Sequence, residues 1–118
     1  MKSNIPLEKE KVNVDIHIKE QAAKRLATKL EGGKLLKLYY DTEGCGCGVN
    51  GIPVLWIVDE PSAGDVEIQT NAMPVLVEKA QMLFYADRLT IDVSGSNQYR
   101  LSSPEEILNG RMNVIKKQ

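Results

Sequence analysis

The sequence has few of the residues on which most catalytic and metal sites depend. It contains two cysteines and a single histidine among its 118 residues. A Ser-His-Asp triad would have to use the one histidine. A complete zinc or iron–sulfur site needs about four ligands, more than the two cysteines supply. Aromatic residues make up only 5%, too few to form a base-stacking platform. Phosphate-binding and dinucleotide-binding glycine motifs are also absent. These patterns therefore offer no catalytic residues.

An excess of charge of one sign is missing as well. Fifteen basic and sixteen acidic residues give a net charge of -1, whereas nucleic-acid-binding domains normally show a basic surplus. No apolar run approaches the roughly 20 residues that span a bilayer. The first fifteen residues, MKSNIPLEKEKVNVD, lack the hydrophobic region of a signal peptide. We expect a cytoplasmic protein that binds neither nucleic acid nor membrane.

Length and composition are those of one globular domain, with 42% hydrophobic and 26% charged residues. No repeat or long linker divides the chain. We predict a single domain over residues 1–118, with its core at about 12–104. A loosely ordered N-terminus (1–11) and a C-terminal tail (105–118) flank that core.

Hydrophobic patterning predicts an α+β fold: a small, mostly antiparallel, β-rich domain with one longer N-terminal helix and short helices. Period-two alternation and turn residues predict strands. These cover residues 12–18, 34–40, 52–58, 65–70, 88–94 and 98–102. The strand at 52–58 is apolar on both faces, so it is buried either inside the domain or by a partner. In the second case Leu55 and Ile57 are the contact residues.

Helices are predicted from the 3.6-residue period and from capping residues. Apolar positions on one stripe predict a helix over residues 19–30, and Gly32 and Gly33 end it. Asn71 is a suitable cap for a short helix that runs to about residue 82. Ser103, followed by Pro-Glu-Glu, predicts a second short helix start.

The segment with chemical character is Gly44-Cys45-Gly46-Cys47-Gly48. Cys45 and Cys47 are candidate metal and cofactor ligands, because thiolates are soft ligands and the glycines leave both sulfurs uncovered. Two thiolates are only half of a cluster's ligand set. A complete site needs a second subunit, an added thiol such as glutathione, or oxygen ligands. The alternative is that the pair lies in an inert tight turn.

Three further residues have ligand chemistry but weaker patterns. His17 falls on the polar face of its predicted strand, which favours a solvent-facing side chain over a metal ligand. Asp41 and Glu43 precede the cysteines and offer hard oxygen ligands for iron, although solvated turn residues fit them better. Their negative charge also raises the pKa of nearby thiols.

Several short motifs occur in a recognisable order along the chain. Ala22-Ala23 with Leu26 lies in the helix, the glycine–cysteine loop follows the next strand, and an apolar strand comes after it. Four further motifs then follow in order: Asp65-Val66-Glu67-Ile68, Met73-Pro74-Val75-Leu76, Leu89-Thr90-Ile91-Asp92-Val93 and Leu101-Ser102-Ser103-Pro104. This order, over roughly residues 14–104, resembles the HesB/IscA family of A-type iron–sulfur cluster assembly proteins.

The resemblance implies a small β-rich domain that self-associates and holds iron or an iron–sulfur cluster between subunits. Such proteins pass the cluster to apo-proteins. Their ligands are one cysteine in the glycine loop and two in a Cys-Gly-Cys near the C-terminus. Here either Cys45 or Cys47 matches the loop position, since each of them follows a glycine. The segment from Ser103 onward contains no cysteine, so the terminal pair is missing.

The resulting hypothesis is a non-enzymatic carrier or scaffold of iron–sulfur biogenesis, with iron or an iron–sulfur cluster as cofactor. Its expected partners are further copies of itself and the assembly machinery or recipient apo-proteins. One alternative is a metal-free adaptor or binding module on the same fold. The other is a small redox protein that cycles the Cys45 and Cys47 thiols, whose strained disulfide is easily reduced.

Overall fold

The computed structural model describes residues 14–41 and 51–117. In that part of the chain nine strands, one α-helix and one 3₁₀ helix are present. Along the chain they are β1 (Asp15–Ile18), α1 (Glu20–Lys29), β2 (Leu35–Asp41), β3 (Ile52–Val58), β4 (Asp65–Ile68), β5 (Val75–Glu78), the 3₁₀ helix (Lys79–Phe84), β6 (Arg88–Val93), β7 (Tyr99–Ser102), β8 (Ile107–Met112) and β9 (Val114–Lys116).

The predicted fold class is confirmed, and each predicted strand has a counterpart in the structure. The strand predicted at 52–58 has the bounds of β3, and the others agree to within a few residues at each end. The helix α1 buries Ala22 and Leu26 on one face, as its period requires. It ends before Gly32 and Gly33, both of which adopt the positive φ that glycine tolerates.

The strands form two mixed sheets. One has the order β1-β6-β7-β8 and the other the order β4-β5-β2-β3-β9. Four pairings are antiparallel. Three are parallel, namely β1 with β6, β2 with β5 and β3 with β9. The parallel pairs join strands that are distant in sequence, so local turn signals do not predict them.

Both sheets and α1 contribute to one hydrophobic core. Leu36, Leu38 and Leu55 come from the five-stranded sheet, and Ile91 and Leu101 from the four-stranded one; all are at most 1% exposed. At roughly 1.5–3 kcal/mol for each fully buried side chain, this core is the main stabilising contribution to the fold. No helix within residues 14–41 and 51–117 has the length and apolar character needed to cross a bilayer.

The short helix predicted from Asn71 to about residue 82 is wrong. The chain instead forms β5 and then the 3₁₀ helix. Asn71 bonds the backbone of Ile18, accepting from its N–H at 2.7 Å and donating to its carbonyl at 2.9 Å. Its side chain serves the end of β1 in place of a helix N-terminus. Val75 and Val77 are fully buried in the core, and this tertiary burial favours a strand.

The helix start predicted at Ser103 is wrong as well. The Ser103 hydroxyl accepts from the N–H groups of Glu105 and Glu106 at 3.3 Å, which is the same chemistry used in a turn. The chain then enters β8. Residues assigned to a C-terminal tail thus form β8 and β9. β8 is an edge strand of the four-stranded sheet, and β9 is an edge strand of the five-stranded sheet.

Candidate functional site

The glycine–cysteine segment is carried by the hairpin of β2 and β3. These strands pair in register from Leu35 with Val58 to Asp41 with Ile52. Residues 42–50 connect the paired ends. Cys45, Cys47 and Glu43 lie outside the described residues, so their assignment as ligands stays a prediction. The described residues define the end of the hairpin from which the segment departs.

The end of β2 is held by a side chain of the 3₁₀ helix. The Gln81 amide donates to the carbonyl of Tyr40 at 3.0 Å and accepts from the Tyr40 N–H at 3.0 Å. It thus takes the place of a further strand partner at the point where β5 no longer pairs with β2, after Leu38. Both backbone polar groups of Tyr40, the last residue but one of the strand, therefore bond this side chain.

An aromatic cluster covers the same end of the hairpin. The rings of Tyr40 and Phe84 stack at 4.4 Å between centroids, and Tyr85 meets Tyr40 edge-on at 6.0 Å. Tyr85 is buried, and burial, together with the neighbouring Tyr40 and Glu78, raises the pKa of its phenol well above its usual range. Phe84 remains 52% exposed.

The β3 side of the hairpin end is held by β8. The Asn109 side chain donates to the carbonyl of Pro53 at 2.8 Å, and Pro53 pairs with Tyr40 across the hairpin. Proline itself supplies no N–H to the sheet. Together, Gln81 and Asn109 hold both strands within three residues of the 42–50 segment.

The face of the five-stranded sheet that points away from the core carries a buried ion pair. The Lys37 ammonium lies 2.9 Å from the Asp65 carboxylate and 3.3 Å from that of Glu78. The side chains of Lys37 and Asp65 are 3% and 0% exposed. The second oxygen of Asp65 accepts from the Ser62 N–H at 2.8 Å. The pair crosses from β2 over β5 to β4 and so holds three strands together.

An aromatic stack adjoins this ion pair. Tyr39 and Trp56 stack at 3.9 Å, and the Lys117 ammonium lies 4.7 Å from the centre of the indole ring. Trp56 also lines an open cleft of about 650 Å³ with Lys37 and Lys117. The cleft holds no catalytic pair, and its charged groups are balanced by one another. We assign this face a structural role.

The remaining candidate ligands are not brought together in the described residues. His17 is exposed on β1, on the face opposite the core, as predicted. Asp41 is the last residue of β2. Among residues 14–41 and 51–117 there is no cluster of three or more His, Cys, Asp or Glu that could hold a metal ion.

Leu55 and Ile57 were expected to face a partner if β3 lies at an interface. The structure places both inside, with Leu55 0% and Ile57 4% exposed. The opposite face of β3 carries Val54, Trp56 and Val58. Because side chains alternate along a strand, the two sets cannot exchange faces.

Sequence patterns did not indicate Gln81 or Phe84 as supports of the hairpin. Gln81 falls in the segment predicted as a helix, and Phe84 lies just beyond it. No local signal links either residue to Tyr40, which lies some 40 residues earlier in the chain. Sequence patterns did not indicate the burial of Lys37 either, because a single lysine in an apolar strand is normally exposed. Its partners lie on β4 and β5, which only the tertiary fold brings close.

Comparison with known proteins agrees with this fold. A family described as iron-sulphur cluster biosynthesis matches residues 14–116. The uncharacterized protein YqkB of Bacillus subtilis is 34% identical over 107 residues, covering 88% of this chain and all of that protein.

Solved structures show the same architecture at low identity. Candidate Fe-S biosynthesis proteins from Lactobacillus salivarius and Lactobacillus acidophilus superpose with TM-scores of 0.67 and 0.70, at 20% and 17% identity. Each alignment covers 87% of this chain, with 97% and 90% of the respective neighbours. Escherichia coli SufA, involved in biosynthesis of iron-sulfur clusters, gives 0.57 at 24% identity over 77% of this chain and 82% of its own.

Proposed function

Since this chain belongs to the iron-sulphur cluster biosynthesis family, we propose that it is a non-enzymatic carrier or scaffold of that process. Its cargo is iron or an iron–sulfur cluster, which it passes to apo-proteins in the cytoplasm. The observation that carries the proposal is the family match over residues 14–116, which includes the whole hairpin and its Cys-Gly-Cys connection.

Cys45 and Cys47 are the proposed ligands. Thiolates are the ligands that iron–sulfur clusters take most often, and these are the only two cysteines in the sequence. One chain therefore supplies two of about four ligands. Two chains supply four, which is why the proposal includes self-association.

Release of the cargo follows from the same donor set. A recipient thiolate forms a bond to iron as a Cys45 or Cys47 thiolate leaves, and the leaving sulfur takes up a proton from water. The exchange involves no net oxidation or reduction. Flanking glycines offer no side chains to shield the sulfurs, so an incoming thiolate can approach. A firmly anchored hairpin end keeps the donor on a rigid support.

Anaerobic reconstitution with ferrous iron and sulfide tests the proposal. We expect the wild-type chain to bind both and to acquire the visible absorption of a cluster. Cys45→Ser and Cys47→Ser should each lose it, because a dimer of either variant has two thiolates left. His17→Ser is the matched control, since it removes an exposed metal-ligand type, and it should reconstitute like the wild type.

Other results would identify another function. A mass loss of two protons on mild oxidation, with no bound iron, points to a thiol redox protein. If the chain neither takes up iron nor forms a disulfide, the result points to a metal-free adaptor. Wild-type spectra from both cysteine variants would show that the cysteines are not the ligands.

A further inference from the structure

The edge strand β9 buries little apolar surface. It is the shortest strand in the described part of the chain, with three residues, and it lies at an edge of the five-stranded sheet. Val114 is partly buried, whereas Ile115 and Lys116 are exposed. Segments with few buried apolar contacts open locally at a low cost in free energy, because burial supplies most of the stabilisation. We therefore expect β9 to leave the sheet while the rest of the domain stays folded.

The neighbouring strand β3 is firmly held by contrast. It pairs with β2 over all of its seven residues, and its Leu55 and Ile57 side chains are buried. On the edge that faces β9, the Leu55 N–H donates to the Asn113 carbonyl at 3.1 Å. The Ile57 carbonyl accepts from the Lys117 N–H at 2.8 Å. If β9 leaves, these groups lose their partners on a strand that stays in place, and such an edge pairs readily with another extended chain.

Contacts of β9 with Trp56 indicate which side chains an incoming segment needs. Ile115 is the register partner of Trp56 on β3. The Lys117 ammonium, two residues later, lies 4.7 Å from the centre of the indole ring. An aromatic face attracts a cation through its ring quadrupole. The edge therefore suits an apolar residue beside Trp56 and a basic residue two positions further along.

Charge in the adjoining cleft favours the same basic residue. The cleft is lined by two lysines, Lys37 and Lys117, and by two carboxylates, Asp59 and Glu60, among others. Lys37 is already neutralised by the buried ion pair. When β9 leaves, Lys117 leaves with it, so the net charge of the cleft becomes more negative. Complementary charge across an interface selects the partner, and here it selects a cation.

We propose that β9 is a releasable strand, and that the β3 edge it covers takes up an extended segment of a partner protein. That segment carries an apolar residue in the place of Ile115 and a basic residue in the place of Lys117. While β9 is paired it excludes the partner, because the apparent affinity falls with the fraction of chains in which the edge is open. Neither Cys45 nor Cys47 takes part, so the release of β9 is tested apart from the proposed function.

Hydrogen exchange of the full chain tests the release. The Leu55 N–H faces β9, whereas that of Trp56 faces β2, because successive N–H groups of a strand point to opposite neighbours. In the wild type we expect a protection factor at least about tenfold lower for Leu55 than for Trp56. Ile115→Pro removes an N–H from the middle of β9. It should abolish protection of Leu55 and leave that of Trp56, which also shows that the variant is folded.

Binding of a labelled peptide tests the uncovered edge. The peptide has the sequence of residues 111–117, Arg-Met-Asn-Val-Ile-Lys-Lys, which contains β9. The full-length Ile115→Pro variant should bind it at least about tenfold more tightly than the wild type, because its edge is open. The peptide carrying Lys117→Met should bind that variant about twofold to fivefold more weakly, as loss of an exposed cation–π contact predicts. Ile107→Pro is the matched control, since Ile107 is an exposed first residue of an edge strand, where proline is tolerated. It should bind the peptide like the wild type.

Three results would overturn the proposal. Equal protection of Leu55 and Trp56 in the wild type would show that β9 opens only when the whole domain unfolds. A peptide affinity that Ile115→Pro leaves unchanged, or that Ile107→Pro raises equally, would show that no edge is uncovered by release of β9. Protection of Leu55 that rises with the concentration of the wild-type chain would show that the edge takes up β9 of a second copy and not a segment of a partner protein.

Discussion

The side chain of Gln81 hydrogen-bonds both the N–H and the carbonyl of Tyr40, each at 3.0 Å. The same device occurs at Ile18, whose N–H and carbonyl both bond the Asn71 amide. In each case an amide side chain completes the backbone pairing at a strand end. At Tyr40 it does so one residue before the last described residue of the hairpin arm, so Gln81 anchors the end of β2.

Gln81→Ala should lower the free energy of unfolding by about 1–3 kcal/mol, because two hydrogen bonds are lost in a partly buried site. Gln81→Glu keeps the acceptor for the Tyr40 N–H but places a carboxylate oxygen against the Tyr40 carbonyl, where the amide donated. Because two acceptor oxygens repel, this variant should lose at least as much free energy of unfolding as Gln81→Ala. Urea unfolding gives both values, and amide exchange at Tyr40 should speed up in Gln81→Ala.

Gln69→Ala is the matched control, because Gln69 is exposed and follows β4. It should change stability by less than about 0.5 kcal/mol. An effect of Gln81→Ala no larger than that of Gln69→Ala would show that the clasp contributes nothing to stability.

The ion pair of Lys37 with Asp65 supports a second prediction. Lys37→Met should destabilise the fold by about 3–5 kcal/mol, because it leaves a fully buried carboxylate without its cation. Lys37→Met combined with Asp65→Asn removes that charge and keeps an acceptor for the Ser62 N–H. The double variant should therefore recover much of the loss.

Lys34→Met is the control for the ion pair. Lys34 pairs with Asp59 at the surface, where the side chains are 36% and 57% exposed. Its loss should be less than about 1 kcal/mol, since exposed ion pairs contribute little. Equal midpoints in urea for Lys37→Met and Lys34→Met would rule out the buried pair as a major contribution.

The sequence predicted the local elements well because local signals determine them. Alternation in β3 and β6 and the stripe of α1 each depend on residues within one element. The two helix starts predicted at Asn71 and Ser103 were wrong because their capping chemistry is also local. Their side chains do bond backbone groups, as capping residues do, but the partners are a strand end and a turn. Capping chemistry alone does not say which kind of backbone segment it serves.

Features that depend on contacts between distant parts of the chain could not be predicted from local sequence patterns. The parallel pairing of β3 with β9 joins residues about sixty apart, and nothing local marks Val114 as the partner of Leu55. The burial of Lys37 depends on Asp65 in the same way. The family resemblance indicated the overall fold. The segment from Ser103 onward lacks the family's C-terminal cysteines, and nothing in it indicated that it would form β8 and β9.

Tyr85 predicts how stability changes at alkaline pH. Its pKa in the folded chain is raised from the usual 10.0, chiefly by burial. The unfolded phenol therefore loses its proton first. The contribution of Tyr85 is fully present below about pH 10 and falls as pH rises further, by at most about 1.4 kcal/mol per pH unit.

Tyr85→Phe removes that dependence, so its free energy of unfolding should fall less steeply than that of the wild type between pH 9 and pH 11. Urea titrations at several pH values measure both slopes. Tyr99, whose pKa is also raised by burial, remains in both proteins and affects them equally. Parallel curves for the two proteins would contradict the prediction.

Leu55 distinguishes core from interface on β3. It is 0% exposed and belongs to the core cluster, so Leu55→Ala should lower the free energy of unfolding by about 2–5 kcal/mol. Because the lost contacts lie within one chain, the loss should be the same at protein concentrations tenfold apart. If Leu55 instead packed against a partner, the loss would grow with concentration, since association stabilises only the wild type. Ile115→Ala on the neighbouring strand β9, where the side chain is 38% exposed, should cost less than about 0.5 kcal/mol at both concentrations.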